Sequence, residues 1–266
     1  MQTHSKWLSV IAGAGYSAKT VMYTMLGVFI ISSAISALGS ENTTQKHVFE
    51  TIQSQPYGQV MLIAVVAGLI CYALWRWLQC VLNTESLDMS KAKDVIMRVF
   101  LFVSGLIYLI AAYLGIKVFT GDDSSGQGGS DSQQMTAQLM QYEWGLIIVG
   151  AGAVAIIAFA FIQFKHAYTA DFIKKFETER LSQGAQEATR KAGRVGYTAR
   201  GVVYLLVGSF FAFAALNQDA SEAGGLQKAL ETLTEQTFGQ YLLGAVGVGF
   251  VMFGIYCAFE ARYRRT

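Results

Sequence analysis

The sequence predicts an all-α integral membrane protein: six transmembrane helices built as three parallel two-helix repeats, with the N- and C-termini cytoplasmic. Three observations lead there. Apolar residues make up 53% of the 266-residue chain and charged residues only 14%, where a soluble domain carries about a quarter charged. Six apolar stretches are long enough to cross about 30 Å of hydrocarbon, which takes about 20 residues of helix. The chain also repeats itself, so that the stretches fall into pairs.

The first stretch, Leu8–Leu38, is too long for the core of a signal peptide and reads as a retained span. Tyr57–Leu82 completes the first pair, with the only proline, Pro56, at its entry. Val95–Phe119 and Trp144–Phe164 form the second pair, Val195–Leu216 and Tyr241–Phe259 the third. Repeat units therefore run over 1–94, 95–194 and 195–266. The loop from Gly121 to Gln134 is rich in Gly, Ser and Asp and reads as a flexible linker. In the loop from His166 to Arg194, Tyr168, Phe172, Phe176 and Arg180 recur every four residues beside Lys174 and Lys175. That spacing predicts the fourth helix continuing as a basic, partly amphipathic surface helix. The alternative is a solvated connector whose charges only set topology. The outer segments 49–52 and 230–233 read as short amphipathic helices capping the bundle.

Charge sets the orientation. With the N-terminus on one side and six crossings, that side receives seventeen of the 20 Lys and Arg; only Lys46, Lys117 and Lys228 fall on the other. The positive-inside rule makes the first side cytoplasmic.

A shift of 181 residues brings Gly15-Tyr16-Ser17-Ala18-Lys19 onto Gly196-Tyr197-Thr198-Ala199-Arg200. Without a gap it also pairs Tyr23 with Tyr204, Gly27 with Gly208, Gly58 with Gly239, Gly68 with Gly249 and Gln79 with Glu260. The second pair is a weaker copy: Gly105 to Tyr108 matches Gly201 to Tyr204, and Trp144-Gly145 matches Phe238-Gly239. Each unit holds two spans, so all three face the same way. A pseudo-threefold bundle of three hairpins is the simplest arrangement.

The segment from Gly193 to Gly208, with its R-x-G-Y-x-A-R-G-x-x-Y pattern from Arg194 to Tyr204, resembles the signature of the bacterial family called domain of unknown function 1206. The ends Tyr72 to Arg76 and Glu260 to Arg264 are similar to the ends of that family's even helices. The resemblance covers nearly the whole chain as three copies. It implies a bacterial inner-membrane protein and carries over no activity, cofactor or catalytic residue. The first copy departs from the pattern at Thr20, where the third has Gly201. The second has Ser104 in place of Lys19 and Arg200.

Ionisable groups within spans are costly and draw attention first. Lys19 and Arg200 lie inside their spans at matched places, while Gln79, His166 and Glu260 share one place at the ends of the even spans. Together they form a candidate polar vestibule at the cytoplasmic mouth, able to take an anion, a headgroup or a partner. The alternative is that Lys19 and Arg200 snorkel to the headgroups or pair locally with Glu260. Tyr23, Tyr108 and Tyr204, four residues further into each odd span, read as core packing.

No HExxH, GxSxG, Walker loop or CxxCH is present, and His4, His47 and His166 lie in separate segments. Cys71, Cys80 and Cys257 read as small packing residues. The expected protein is therefore not an enzyme and binds no cofactor or metal. It is an accessory, scaffold or lipid-interacting membrane subunit; the alternative is a small channel or transporter with a polar vestibule. Its expected partners are membrane lipids, through anionic headgroups at the basic face, and another protein or a second copy of itself in the membrane, not nucleic acid.

Overall fold

The computed structural model describes residues 2–36, 58–82, 92–120, 133, 136–176 and 182–263. Six long helices carry the fold: α1 (Gln2–Ser36), α2 (Gly58–Leu82), α3 (Ala92–Thr120), α4 (Glu143–Thr169), α5 (Gln183–Asn217) and α7 (Gly239–Tyr263), with the short α6 (Leu226–Thr234) before the last. Each of the six is long and apolar enough to cross a membrane. The outer-surface helix expected around 230–233 is α6, and Ala229 and Leu230 are its buried side chains. Its expected counterpart at 49–52 lies outside the described residues, as does nearly all of the 121–134 linker. Gln133, at the linker's end, donates its Nε2 to the Ser221 carbonyl at 3.0 Å.

Helix α1 begins six residues earlier than the sequence reading, at Gln2, and two boundaries near the site also differ. Helix α5 extends back to Gln183 through a stretch read as loop. Ser182 caps it by accepting from the Ala185 amide at 3.2 Å, and Glu187 pairs with Lys191 one turn on at 2.7 Å. Helix α4 does not continue as a surface helix. It ends at Thr169; Ala170 turns left-handed (φ 50°), and a 3-10 turn follows at Asp171–Lys175. The segment is not a solvated connector either. Phe172 and Phe176 are 2% and 1% exposed, packed with Ala192, Phe253, Tyr256 and Cys257. Burying two phenylalanines outweighs the hydrogen bonds that a further helical turn would give. Tyr168 stays exposed, and Arg180 lies outside the described residues.

Neighbouring helices pack in the series α3–α2–α1–α7–α5–α4. The first and third repeats meet along α1 and α7. The two helices of the second repeat, α3 and α4, stand at the ends of the series and are not a closely packed pair among the described residues. Helix α4 is the least enclosed span, with 22% of it buried against 50% for α2 and for α7. Arg98 on α3 ties α3 to α2 by donating Nε to the Cys80 carbonyl at 2.6 Å. Trp77 on α2 returns the link, its Nε1 donating to the Phe102 carbonyl at 3.2 Å.

The sequence repeat reappears as repeated contacts. Gly15 on α1 faces Tyr72 on α2, and Gly196 on α5 faces Phe253 on α7; a Cβ on either glycine would come within 2.6 or 2.7 Å of the facing Cα. Between repeats, Gly27 lies against Val251 and Gly208 against Ile157. Small residues at these crossings let backbones approach where lipid supplies no hydrophobic drive.

Candidate functional site: two buried cations in an aromatic core

Each odd helix carries its repeated tyrosine at the matched place in its repeat, and each tyrosine meets an aromatic ring from a helix of another repeat. Tyr23 on α1 packs edge-on to Phe253 on α7, with centroids 4.7 Å apart. Tyr108 on α3 packs edge-on to Tyr72 on α2 at 4.5 Å. Tyr204 on α5 packs on Phe159 of α4 at 4.9 Å. Such pairs contribute ~0.5–1.5 kcal/mol each beyond the area they bury. The tyrosines are half-buried.

One turn before its tyrosine, each odd helix carries Lys19, Ser104 or Arg200, and all three are buried. Lys19 is 5% exposed. Its Nζ donates to the Tyr72 hydroxyl at 3.3 Å and lies 4.7 Å from that ring's centroid. Tyr16 and Phe253 lie 5.4 Å from it, and Tyr108 6.0 Å. Arg200 is 8% exposed. Its Nη2 donates to the Tyr204 hydroxyl at 2.9 Å, and its Nε has no hydrogen-bond partner. The guanidinium carbon lies 4.2 Å from the centroid of Phe253, 5.3 Å from Tyr23 and 5.4 Å from Tyr204.

Arg200 reaches one turn onward along α5, toward the middle of the span. Effective desolvation of a buried ion costs several kcal/mol, and a cation over a ring regains ~0.5–2 kcal/mol. The rings therefore offset much of the cost for both cations, although neither is hydrogen-bonded to a carboxylate among the described residues.

The remaining vestibule residues fare differently. Gln79 is buried, and its Oε1 accepts from Arg76 Nη1 at 3.4 Å. Glu260 is buried, and its charge acts on Lys19 and on Tyr197. His166 diverges from them. Its Nδ1 lies 2.6 Å from Asp171 Oδ1 in the turn after α4, with both side chains about one-third exposed. Burial disfavours the Asp171 carboxylate, but the hydrogen bond and charge of His166 outweigh it and hold the carboxyl below its usual range. The arrangement is thus two buried cations, tyrosine hydroxyls and one buried carboxylate, Glu260, whose charge acts on Lys19. Among the described residues no group of three His, Cys, Asp or Glu side chains could hold a metal ion.

Sequence reasoning missed the even-helix rings Tyr72, Phe159 and Phe253, and Asp171 as the partner of His166. A signal for the rings was present. The shift that pairs Lys19 with Arg200 also pairs Tyr72 with Phe253, and the shift that pairs Trp144 with Phe238 pairs Phe159 with Phe253.

No solved structure matches this chain. A protein of Bacillus subtilis (strain 168), named "Uncharacterized protein YxxB", is 26% identical over 263 residues, 99% of this chain and 94% of its own length. The family described as Domain of Unknown Function (DUF1206) matches three times, over residues 14–82, 99–170 and 195–264, once within each repeat unit. Three matches spanning most of the sequence, on helices whose contacts recur from unit to unit, mean that this chain belongs to the DUF1206 family.

Proposed function

We propose that this chain is a non-enzymatic accessory, scaffold or lipid-interacting protein of the bacterial cytoplasmic membrane, and that it is not a conduit. On this reading its three repeats are arranged about a pseudo-threefold axis, the second opened between α3 and α4, with both termini in the cytoplasm. What supports the reading is the aromatic interlock between repeats: Tyr23, Tyr108 and Tyr204 each pack against a ring of another repeat, Phe253, Tyr72 and Phe159. The orientation rests on the seventeen-to-three division of Lys and Arg.

The weakly enclosed α3 and α4 supply the contact surface. Phe102, Leu106, Ile110, Ile147, Val154 and Phe161 present an apolar face there, matched to lipid tails or to another membrane helix. The basic face draws anionic headgroups. Native purification in a mild detergent, followed by mass spectrometry of what travels with the chain, tests this role. Stoichiometric lipid or a membrane protein partner is the expected result. A bare monomer, free of both under every detergent tried, would count against it.

A further inference from the structure

We infer that Arg200 and Lys19 form an internal anion site, which takes a compact phosphate or phosphodiester group at the level of the repeated tyrosines. This goes beyond the accessory role, which holds whether or not the site is filled. Arg200 is more than nine-tenths buried, its Nε has no partner, and its one hydrogen bond goes to a neutral hydroxyl. A guanidinium offers its N–H groups as a planar fork that matches an oxyanion. Lys19, also more than nine-tenths buried, likewise gives its ammonium to a neutral hydroxyl.

Both cations lie against the single ring of Phe253, so their fields add in one place where low dielectric leaves them weakly screened. The Tyr204 hydroxyl accepts from Arg200 and still has its own proton to donate. Glu260 acts on Lys19 through its charge and offsets part of that field, which leaves Arg200 as the principal donor to an anion.

Access is offered from the second repeat. Ser104 stands there in place of a third cation, α3 and α4 are not a closely packed pair among the described residues, and Tyr108 and Tyr204 keep accessible surface while the cations beneath them are covered. A phosphodiester of an acidic lipid and free inorganic phosphate share this chemistry.

The test uses the purified full chain in phosphatidylcholine nanodiscs, read by thermal unfolding. One arm titrates inorganic phosphate against chloride at constant ionic strength. The other replaces a graded fraction of the lipid with phosphatidylglycerol. Ligand bound only to the folded state raises its melting temperature saturably. A saturable rise in the phosphate arm assigns a free anion; a rise only in the lipid arm assigns the headgroup. Either response must vanish in Arg200→Gln and persist in Lys228→Gln, which alters a peripheral cation. Should Arg200→Gln fail to fold, Arg200→Lys keeps the charge, loses the fork and is expected to weaken half-saturation by about tenfold. Equal responses to chloride and phosphate, no response in either arm, or a response that survives both Arg200 variants would overturn the site.

Discussion

Gly15 faces the backbone of Tyr72 at a point where no side chain fits. Gly15→Leu forces α1 and α2 apart and is expected to cost ~1–3 kcal/mol or more, read as a lower melting temperature in detergent. Gly152, with nothing within 4 Å of a built Cβ, is the control: Gly152→Ala should stay within ~0.5 kcal/mol of the parent. The contact of His166 with Asp171 yields a pH prediction. The Asp171 carboxyl is held below its usual range, so its contribution is present above about pH 4 and is lost as pH falls through the lowered value. Protection from hydrogen exchange over 170–176, taken relative to the intrinsic rate at each pH, should therefore fall on acidification, and Asp171→Asn should show the lowered protection already at neutral pH. Identical pH profiles in the two proteins would contradict the pairing. The candidate residues Lys19 and Arg200 were legible because charge inside a span is rare. Asp171 was not, because its role depends on a left-handed turn at Ala170 that no sequence pattern announced.

At the scale of elements, the six spans were legible almost to their ends because hydropathy and helix length measure the same thing. The segment after α4 was not. Tyr168, Phe172, Phe176 and Arg180 have helical spacing, but tertiary burial decided the conformation, and a 3-10 turn carries Phe172 and Phe176 into the cluster around Tyr256. Phe176→Ala should cost ~3–5 kcal/mol of local stability and open the turn. Tryptic cleavage at the exposed Lys174 would then outpace that of the parent; equal rates would mean that the turn is held by something else. The start of α5 was missed for a simpler reason. Residues 183–194 are polar, and a hydropathy criterion sees only the part of a helix that lies in lipid.

Across the whole molecule, the repeat carried more information than any single span. It foresaw equivalent contacts, and the glycine and aromatic pairs recur from unit to unit at matched positions. It did not foresee that the second unit's helices would stand at opposite ends of the packed series, because a repeat fixes likeness between units and not how tightly each pair closes. On the proposed reading the tyrosines and their partner rings leave no path across the membrane, and the charges beneath them serve binding and not passage. Flux into liposomes holding the purified protein tests it most directly, with small anions and cations as tracers. Rates equal to those of protein-free vesicles are expected across the tracer set. Saturable flux that requires Arg200 and increases in Tyr108→Ala would contradict it.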